Sequence, residues 1–84
     1  MKYLIIQYSN KRWEIFKKID DQTLQRCKAY YDSIQDLTSD MNNENFFITD
    51  NFHDFNSLLY VIDNYQDTIL MEIVTPKQLN LLTI

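Results

Sequence analysis

Glycine is absent from the 84 residues of this chain, although an average usage of about 7% would supply roughly six. Phosphate-binding loops, dinucleotide-binding fingerprints and nucleophile elbows all need glycine where the backbone approaches a phosphate or turns sharply. The composition therefore excludes these three kinds of site. It also predicts that turns with positive φ use asparagine or aspartate, the next most tolerant residues.

Metal ligands and nucleophiles are nearly as scarce, with one cysteine and one histidine. Cys27 has no partner for an internal disulfide, and a structural zinc site needs about four Cys or His ligands. Segment 40–51 lacks both the central glycine and the final glutamate of a calcium loop. Cys27 falls on an apolar helix face, and His53 falls in the first turn of another helix. We expect no metal, no cofactor and no catalytic residues.

Long hydrophobic runs are missing too. The apolar run near the start, within residues 1–7, is shorter than the core of a signal peptide, and no stretch approaches the roughly 18 apolar residues of a membrane span. Hydrophobic residues still make up 45% of the chain, which is enough for one small core. These observations predict a single α+β domain over residues 1–84, located in the cytoplasm.

The N-terminal third predicts a β-hairpin followed by a helix. Residues 2–8 alternate two apolar sets, which is typical of a strand buried on both faces, and residues 12–19 form the second strand after a turn at 9–11. A helix is expected from the N-cap Asp20 to a point between Leu37 and Asn43. Its predicted buried stripe consists of Leu24, Cys27, Tyr31, Ile34 and Thr38.

The remainder predicts two further strands and two helices. A short strand is expected over residues 46–49, followed by a helix from the cap Asn51 to a stop at Asn64. Residues 68–74 are almost entirely apolar, which favours a central strand. Thr75 and Pro76 are typical of the start of a short terminal helix. The expected order is β-β-α-β-α-β-α, a small sheet of about four strands with two main helices.

The charges are segregated along the chain. Residues 1–28 carry a net charge of +4, residues 29–84 carry −8, and no basic residue occurs between Ala29 and Pro76. Several acids repeat at intervals of four, a spacing that puts carboxylates one helical turn apart, where like charges repel. The alternatives are a merely solvated face and a surface that binds a cationic partner. The predicted partner-binding residues are Asp32, Asp36, Asp40, Glu44, Asp50, Asp54, Asp63 and Asp67.

The hairpin offers a second candidate surface, in which aromatic and basic residues are interleaved. Such a mixture is suited to stacking on single-stranded nucleic acid or to a protein interface. The overall charge of −4 argues against direct binding of nucleic acid. This secondary surface comprises Tyr8, Lys11, Arg12 and Trp13.

These patterns predict a non-enzymatic inhibitor, a monomer or weak dimer, that masks the basic groove of a nuclease or CRISPR effector by nucleic-acid mimicry. Small acidic proteins of this type include phage counter-defence proteins, anti-CRISPR proteins among them, and bacterial immunity proteins or antitoxins. An anti-CRISPR-type protein is the specific expectation. An antitoxin against a nuclease toxin is one alternative, and an assembly subunit that dimerises through the hairpin edge is the other.

Overall fold

The computed structural model describes residues 1–27, 30–48, 50–52 and 67–83, which form one antiparallel sheet with helices, so the α+β prediction is confirmed. The predicted helix from Asn51 to Asn64 falls almost entirely outside these residues. No helix in the described ranges has the length and apolar character needed to cross a membrane. The elements are β1 Lys2–Tyr8, β2 Trp13–Lys18, β3 Leu24–Arg26, α1 Ile34–Asn42, β4 Asp50–Phe52, β5 Thr68–Val74 and α2 Pro76–Leu82.

The sheet has the strand order β4-β3-β2-β1-β5, and every neighbouring pair is antiparallel. The predicted hairpin is confirmed, with Lys2 opposite Lys18 and Gln7 opposite Trp13. Its turn is closed by the Lys11 amide, which donates to the Tyr8 carbonyl at 2.9 Å. Because β1 lies between β2 and β5, both of its edges are occupied.

In the part of the chain that the structure describes, positive φ occurs at Lys11 (φ 73°) and Glu44 (φ 51°), so the expectation that such turns use asparagine or aspartate is wrong there. The asparagine in the hairpin turn instead accepts a hydrogen bond, from the Arg12 amide to Asn10 Oδ1 at 3.0 Å. This hydrogen bond uses the Asn10 side chain at the position just before Lys11, the residue with positive φ. Backbone hydrogen bonds then hold Lys11 and Glu44 in the left-handed region.

Both faces of β1 are buried, as its two apolar sets predict. One face packs against α1 and α2, and we call it the helix face. The opposite side of the sheet is called the second face. The buried residues of the helix face are Tyr3, Ile5, Ile15, Cys27, Tyr31, Leu37, Met41, Val74 and Leu79. Those of the second face include Leu4, Ile6, Tyr8, Phe16 and Leu24.

The first helix begins at Ile34 and not after Asp20, because residues 24–26 form strand β3 along the open edge of β2. Asp20 Oδ1 accepts from the amides of Gln22 and Thr23, both at 2.8 Å, which makes a tight turn into that strand. Leu24 is buried on the second face and Cys27 on the helix face. The predicted stripe is therefore divided between two surfaces, and only the predicted end of the helix is confirmed.

The strand predicted over residues 46–49 is also misplaced. The strand lies at Asp50–Phe52, where it pairs with β3, while Phe46 packs against the helix face from irregular backbone. At the other side of the sheet, the predicted bounds of β5 are correct, but β5 is an edge strand and not a central one.

The terminal helix is confirmed in detail. The amide of Gln78 donates to Thr75 Oγ1 at 3.2 Å, and the amide of Thr75 donates to Gln78 Oε1 at 2.8 Å. This reciprocal pair is a capping box, and Pro76 occupies the first turn as predicted. Leu79 is the residue of α2 that is fully buried on the helix face.

Candidate functional site

Three of the predicted acidic residues line one open groove beside α1, with a volume of about 290 Å³. Asp36 and Asp40 lie one turn apart on the helix, and Asp32 lies just before its N-cap, Ser33. The described residues that line it are Tyr30, Tyr31, Asp32, Asp36, Ser39 and Asp40. These three acidic residues therefore lie on one surface, although Asp32 contributes from the loop and not from the helix.

The backbone around Tyr31 fixes the position of this groove relative to the sheet. The amide of Trp13 donates to the Tyr31 carbonyl at 2.8 Å, and the amide of Tyr31 donates to the Trp13 carbonyl at 2.7 Å. Two residues later, Ser33 Oγ accepts from the amide of Asp36 at 3.2 Å and starts α1. The carboxylates thus project from a segment that is anchored at both the hairpin and the helix cap.

Asp40 differs from the other two because it is only partly exposed. Its Oδ2 accepts a hydrogen bond from the Tyr31 hydroxyl at 2.9 Å. Burial of Tyr31, and then this hydrogen bond, raise the pKa of the phenol well above its ordinary value of 10.0. The Asp40 carboxylate therefore does not belong to a fully solvated face. Asp40 lies at the boundary between core and groove, where the tyrosine holds its carboxylate in place.

A cation from the hairpin already lies at the groove. Arg12 Nε donates to Asp32 Oδ1 at 3.1 Å, and the Arg12 guanidinium lies 5.6 Å from the centre of the Tyr30 ring. Both side chains of the ion pair are exposed, by 51% for Arg12 and 82% for Asp32, so the contact is weak and replaceable. The groove therefore combines carboxylates with an aromatic surface that accommodates a guanidinium.

Glu44, Asp50 and Asp67, the other predicted acidic residues that the structure describes, are not among the described residues that line this groove. Glu44 follows the end of α1 in a left-handed turn, and Asp50 lies in β4 in register with Arg26. Asp67 precedes β5, and its carbonyl accepts from the amide of Ser9 at 2.7 Å. Asp54 and Asp63 lie outside the described residues.

The structure places the four residues of the secondary surface differently. Tyr8 is 5% exposed, so its ring is not available for stacking. Trp13 is partly buried against the helix face, whereas Lys11 and Arg12 are exposed. A binding surface formed by Lys11, Arg12 and Trp13 therefore stays a prediction, without the Tyr8 ring.

The second face contains a buried polar cluster that the sequence analysis did not predict. Glu14 is 0% exposed and accepts from the Tyr8 hydroxyl at 2.6 Å and from Arg26 Nε at 2.7 Å. Burial alone would lower the pKa of Arg26, but the hydrogen bond and charge of Glu14 raise it. The available signal was the strand pattern. Glu14 shares a strand face with Phe16, so a sheet buried on both sides must bury its carboxylate as well.

The described part of the chain offers little support for a reactive cysteine or a metal site. Burial raises the pKa of the Cys27 thiol from 9.0 to about 11, which disfavours the reactive thiolate. Residues 1–27, 30–48, 50–52 and 67–83 contain no group of three or more His, Cys, Asp or Glu side chains that could hold a metal ion. His53 lies outside these ranges.

Comparisons of the chain with protein-family models, with curated proteins and with solved structures return no match.

Proposed function

We propose that this protein is a non-enzymatic inhibitor that binds a cationic surface of a nucleic-acid-handling protein through the groove formed by Asp32, Asp36 and Asp40. The observation that carries the proposal is the convergence of these carboxylates on one open groove, together with the guanidinium of Arg12 already bound at its edge. A groove that accommodates its own arginine is chemically suited to the arginines and lysines that hold phosphates.

The spacing of the carboxylates supports a mimic of nucleic acid. Positions four apart on a helix rise by about 6 Å, close to the separation of neighbouring phosphates on a strand. Negative charge held at that spacing is attracted by a groove built for phosphates and accelerates encounter with it. The net charge of −4 makes binding of nucleic acid by the chain itself unfavourable. In its specific form, the proposal is an anti-CRISPR-type phage protein that acts in the cytoplasm on a CRISPR effector.

The alternative of an assembly subunit that dimerises through the hairpin receives no support from the fold. Both strands of the hairpin are paired on both sides, since β1 lies between β2 and β5 and β2 lies between β1 and β3. A hairpin without a free edge has no unpaired backbone groups with which to add a strand.

The test removes two charges from the groove without disturbing the fold. Asp32→Asn with Asp36→Asn changes the two exposed carboxylates and spares Asp40, which Tyr31 holds. The matched control, Asp21→Asn with Glu72→Gln, removes two exposed charges at positions that are not predicted to bind the partner, so both variants have the same net charge.

Wild type and both variants are immobilised and exposed to lysate of the native host, and retained proteins are identified by mass spectrometry. We expect wild type and the control to retain a nucleic-acid-binding protein, the groove variant to lose it, and an added oligonucleotide to displace it. With that protein purified, the groove variant is expected to show a slower association rate and a weaker dependence on salt.

Equal retention by all three proteins would refute the role of the groove. Retention of a toxic nuclease in place of a CRISPR effector would identify an immunity protein or antitoxin that uses the same groove. A mobility shift of DNA or RNA by the isolated protein at low-micromolar concentration would contradict mimicry altogether.

A further inference from the structure

The backbone holds Arg12 in front of Asp32. Trp13 and Tyr31 form an antiparallel bridge in which the amide of each residue donates to the carbonyl of the other. Arg12 precedes Trp13 and Asp32 follows Tyr31, so Arg12 and Asp32 occupy facing positions beside this bridge. The fold itself therefore brings the Arg12 cation to the groove beside α1.

The backbone of Arg12 is fixed, whereas its side chain is held weakly. The Arg12 amide donates to Asn10 Oδ1 at 3.0 Å, and the Arg12 carbonyl accepts from the Tyr8 amide at 3.0 Å. The guanidinium is joined to Asp32 by one hydrogen bond, from Nε to Oδ1, and both side chains are more than half exposed. Rotation about the bonds of the side chain is therefore sufficient to release the carboxylate, and the turn does not have to change.

The Tyr30 ring makes this position suited to a guanidinium. The ring centre lies 5.6 Å from Cζ of Arg12, and the ring packs edge-on against Tyr8 at 5.9 Å. A planar guanidinium stacks on an aromatic face while its donors reach a carboxylate, whereas the ammonium of lysine is compact and more strongly hydrated. The position between Asp32 and Tyr30 therefore favours arginine over lysine.

We propose that Arg12 is a built-in competitor for the groove, and that it occupies the position which an arginine side chain of the partner takes on binding. This inference rests on the proposed function, in which the groove binds a cationic surface. The contact leaves the carboxylates of Asp36 and Asp40 to attract the partner. The partner's arginine then displaces Arg12 from Asp32 and from the Tyr30 ring.

Competition by a side chain of the same chain has a predictable size. One exposed ion pair and one cation–π contact are weak interactions, so Arg12 raises the dissociation constant for an incoming arginine by a small factor. Removal of the Arg12 guanidinium is therefore expected to tighten binding about three- to tenfold. A residue that recruited the partner through its own contacts would show the opposite change when it is removed.

The test measures binding of a fluorescein-labelled hexa-arginine peptide to the isolated protein at low salt, by fluorescence anisotropy. Arg12→Gln is expected to bind the peptide about three- to tenfold more tightly than wild type. The matched control is Lys77→Gln, which removes one exposed positive charge on α2, away from the described lining of the groove. This control should change binding by less than about twofold, because screening weakens the effect of a distant exposed charge.

A double-mutant cycle separates competition from a general change of charge. Asp32→Asn removes the acceptor for which Arg12 and the peptide compete, so adding Arg12→Gln to it is expected to tighten binding by less than about twofold. A hexa-lysine peptide should gain less from Arg12→Gln than the arginine peptide does.

Displacement of the side chain is observed directly by NMR in the wild-type protein. Addition of the arginine peptide is expected to move the Nε–H resonance of Arg12 towards its position in Asp32→Asn, because both changes break the same hydrogen bond.

Three results would each overturn the proposal: a gain from Arg12→Gln no larger than that from Lys77→Gln, the same gain with and without the Asp32 carboxylate, or an Arg12 resonance that does not move at saturation. Failure of the arginine peptide to bind Arg12→Gln would overturn it too. Equal gains for the arginine and lysine peptides would overturn the assignment of this position to arginine.

The peptide experiments use the purified protein alone and do not depend on the retention of a host protein. They fail while the proposed function stands if the groove variant, Asp32→Asn with Asp36→Asn, loses the host protein but Arg12→Gln gains nothing. They succeed while the proposed function fails if Arg12 competes with the peptide but all three immobilised proteins retain the same host proteins.

Discussion

The two faces of the sheet are built from the same strands, yet they handle polar groups differently. Among the described residues, no charged side chain is buried in the core of the helix face, and the hydroxyl of Tyr31 donates to the half-exposed Asp40. The second face buries Glu14 completely and satisfies it with Tyr8 and Arg26. One face thus keeps its polar contact at the rim, whereas the other has placed an ion pair inside the core.

This difference indicates where the loss of one polar side chain destabilises the fold most. Removing two charges from water costs several kcal/mol per ion, so a buried pair contributes little net stability and is expensive to break. A hydrogen bond at the rim is cheaper to lose, because water replaces the missing partner. The second face should therefore respond strongly to the loss of one polar group, and the helix face weakly.

The largest expected effect follows from breaking the buried pair. Arg26→Met leaves the carboxylate of Glu14 without its cation in a fully buried position. We expect the free energy of unfolding to fall by about 3–5 kcal/mol, measured by urea denaturation. Lys17→Met is the control, because Lys17 forms no ion pair with the described residues.

Combining Arg26→Met with Glu14→Gln sharpens this comparison. The double variant removes the stranded charge while the amide oxygen still accepts from Tyr8, so it should be more stable than Arg26→Met alone. A double variant that is no more stable than the single one would show that the cost of Arg26→Met has another origin.

A smaller effect is expected from alkaline pH, and it concerns the helix face through Cys27. Its pKa is raised from 9.0 to about 11 by burial, so the native protein holds the thiol proton more tightly than the unfolded chain does. The protonated thiol therefore stabilises the native protein, by about 1.4 kcal/mol for each unit by which its pKa is raised. This stabilisation is fully present below pH 9 and is lost as the pH rises towards 11.

The measurement compares wild type with Cys27→Ala in urea at pH 8, 9, 10 and 11. The stability advantage of wild type should shrink across this interval, because only wild type carries the titrating thiol. Burial also raises the pKa values of Tyr3, Tyr8 and Tyr31, but these tyrosines are buried in both proteins. The additional rise that the Cys27 charge causes at Tyr3 and Tyr31 is lost only in Cys27→Ala, so it forms part of the measured effect of the thiol. An advantage that stays constant with pH would contradict the burial of Cys27.

The smallest effect separates the two tyrosines. Tyr8→Phe removes a donor from the buried Glu14 and should cost about 1–3 kcal/mol, whereas Tyr31→Phe removes a donor from the partly exposed Asp40 and should cost about 0.5–1.5 kcal/mol. Both changes keep the aromatic ring, so thermal unfolding compares the hydroxyls alone. Equal losses would mean that the rim and the interior do not differ in this respect.

The candidate site was predictable in part. The four-residue spacing predicted that Asp36 and Asp40 lie one turn apart on a helix, whereas Asp32 reaches the same groove from the loop before the N-cap Ser33. The contact of Arg12 with Asp32 was not predictable, since these residues meet only through the pairing of Trp13 with Tyr31. The burial of the Tyr8 ring had the same kind of cause, namely packing between elements distant in the chain.

Local signals determined the elements that depend on few partners. Alternating apolar residues predicted β1 with both faces buried, and the sequence from Thr75 to Gln78 predicted the capping box of α2. These features follow from side chains a few residues apart, so the amino-acid sequence by itself was sufficient.

Only the tertiary structure decided which strands have neighbours. Residues 24–26 carry a helical apolar spacing, yet they form β3 because the edge of β2 at residues 16–18 offers them backbone hydrogen bonds. The apolar strand Thr68–Val74 became an edge because β2 occupies the other side of β1. Glu14 is buried because it lies on the second face among the buried side chains of Tyr8 and Phe16, which come from two different strands. Strand pairing joins residues that are far apart in the chain, so its free energy depends on contacts that no short stretch of sequence contains.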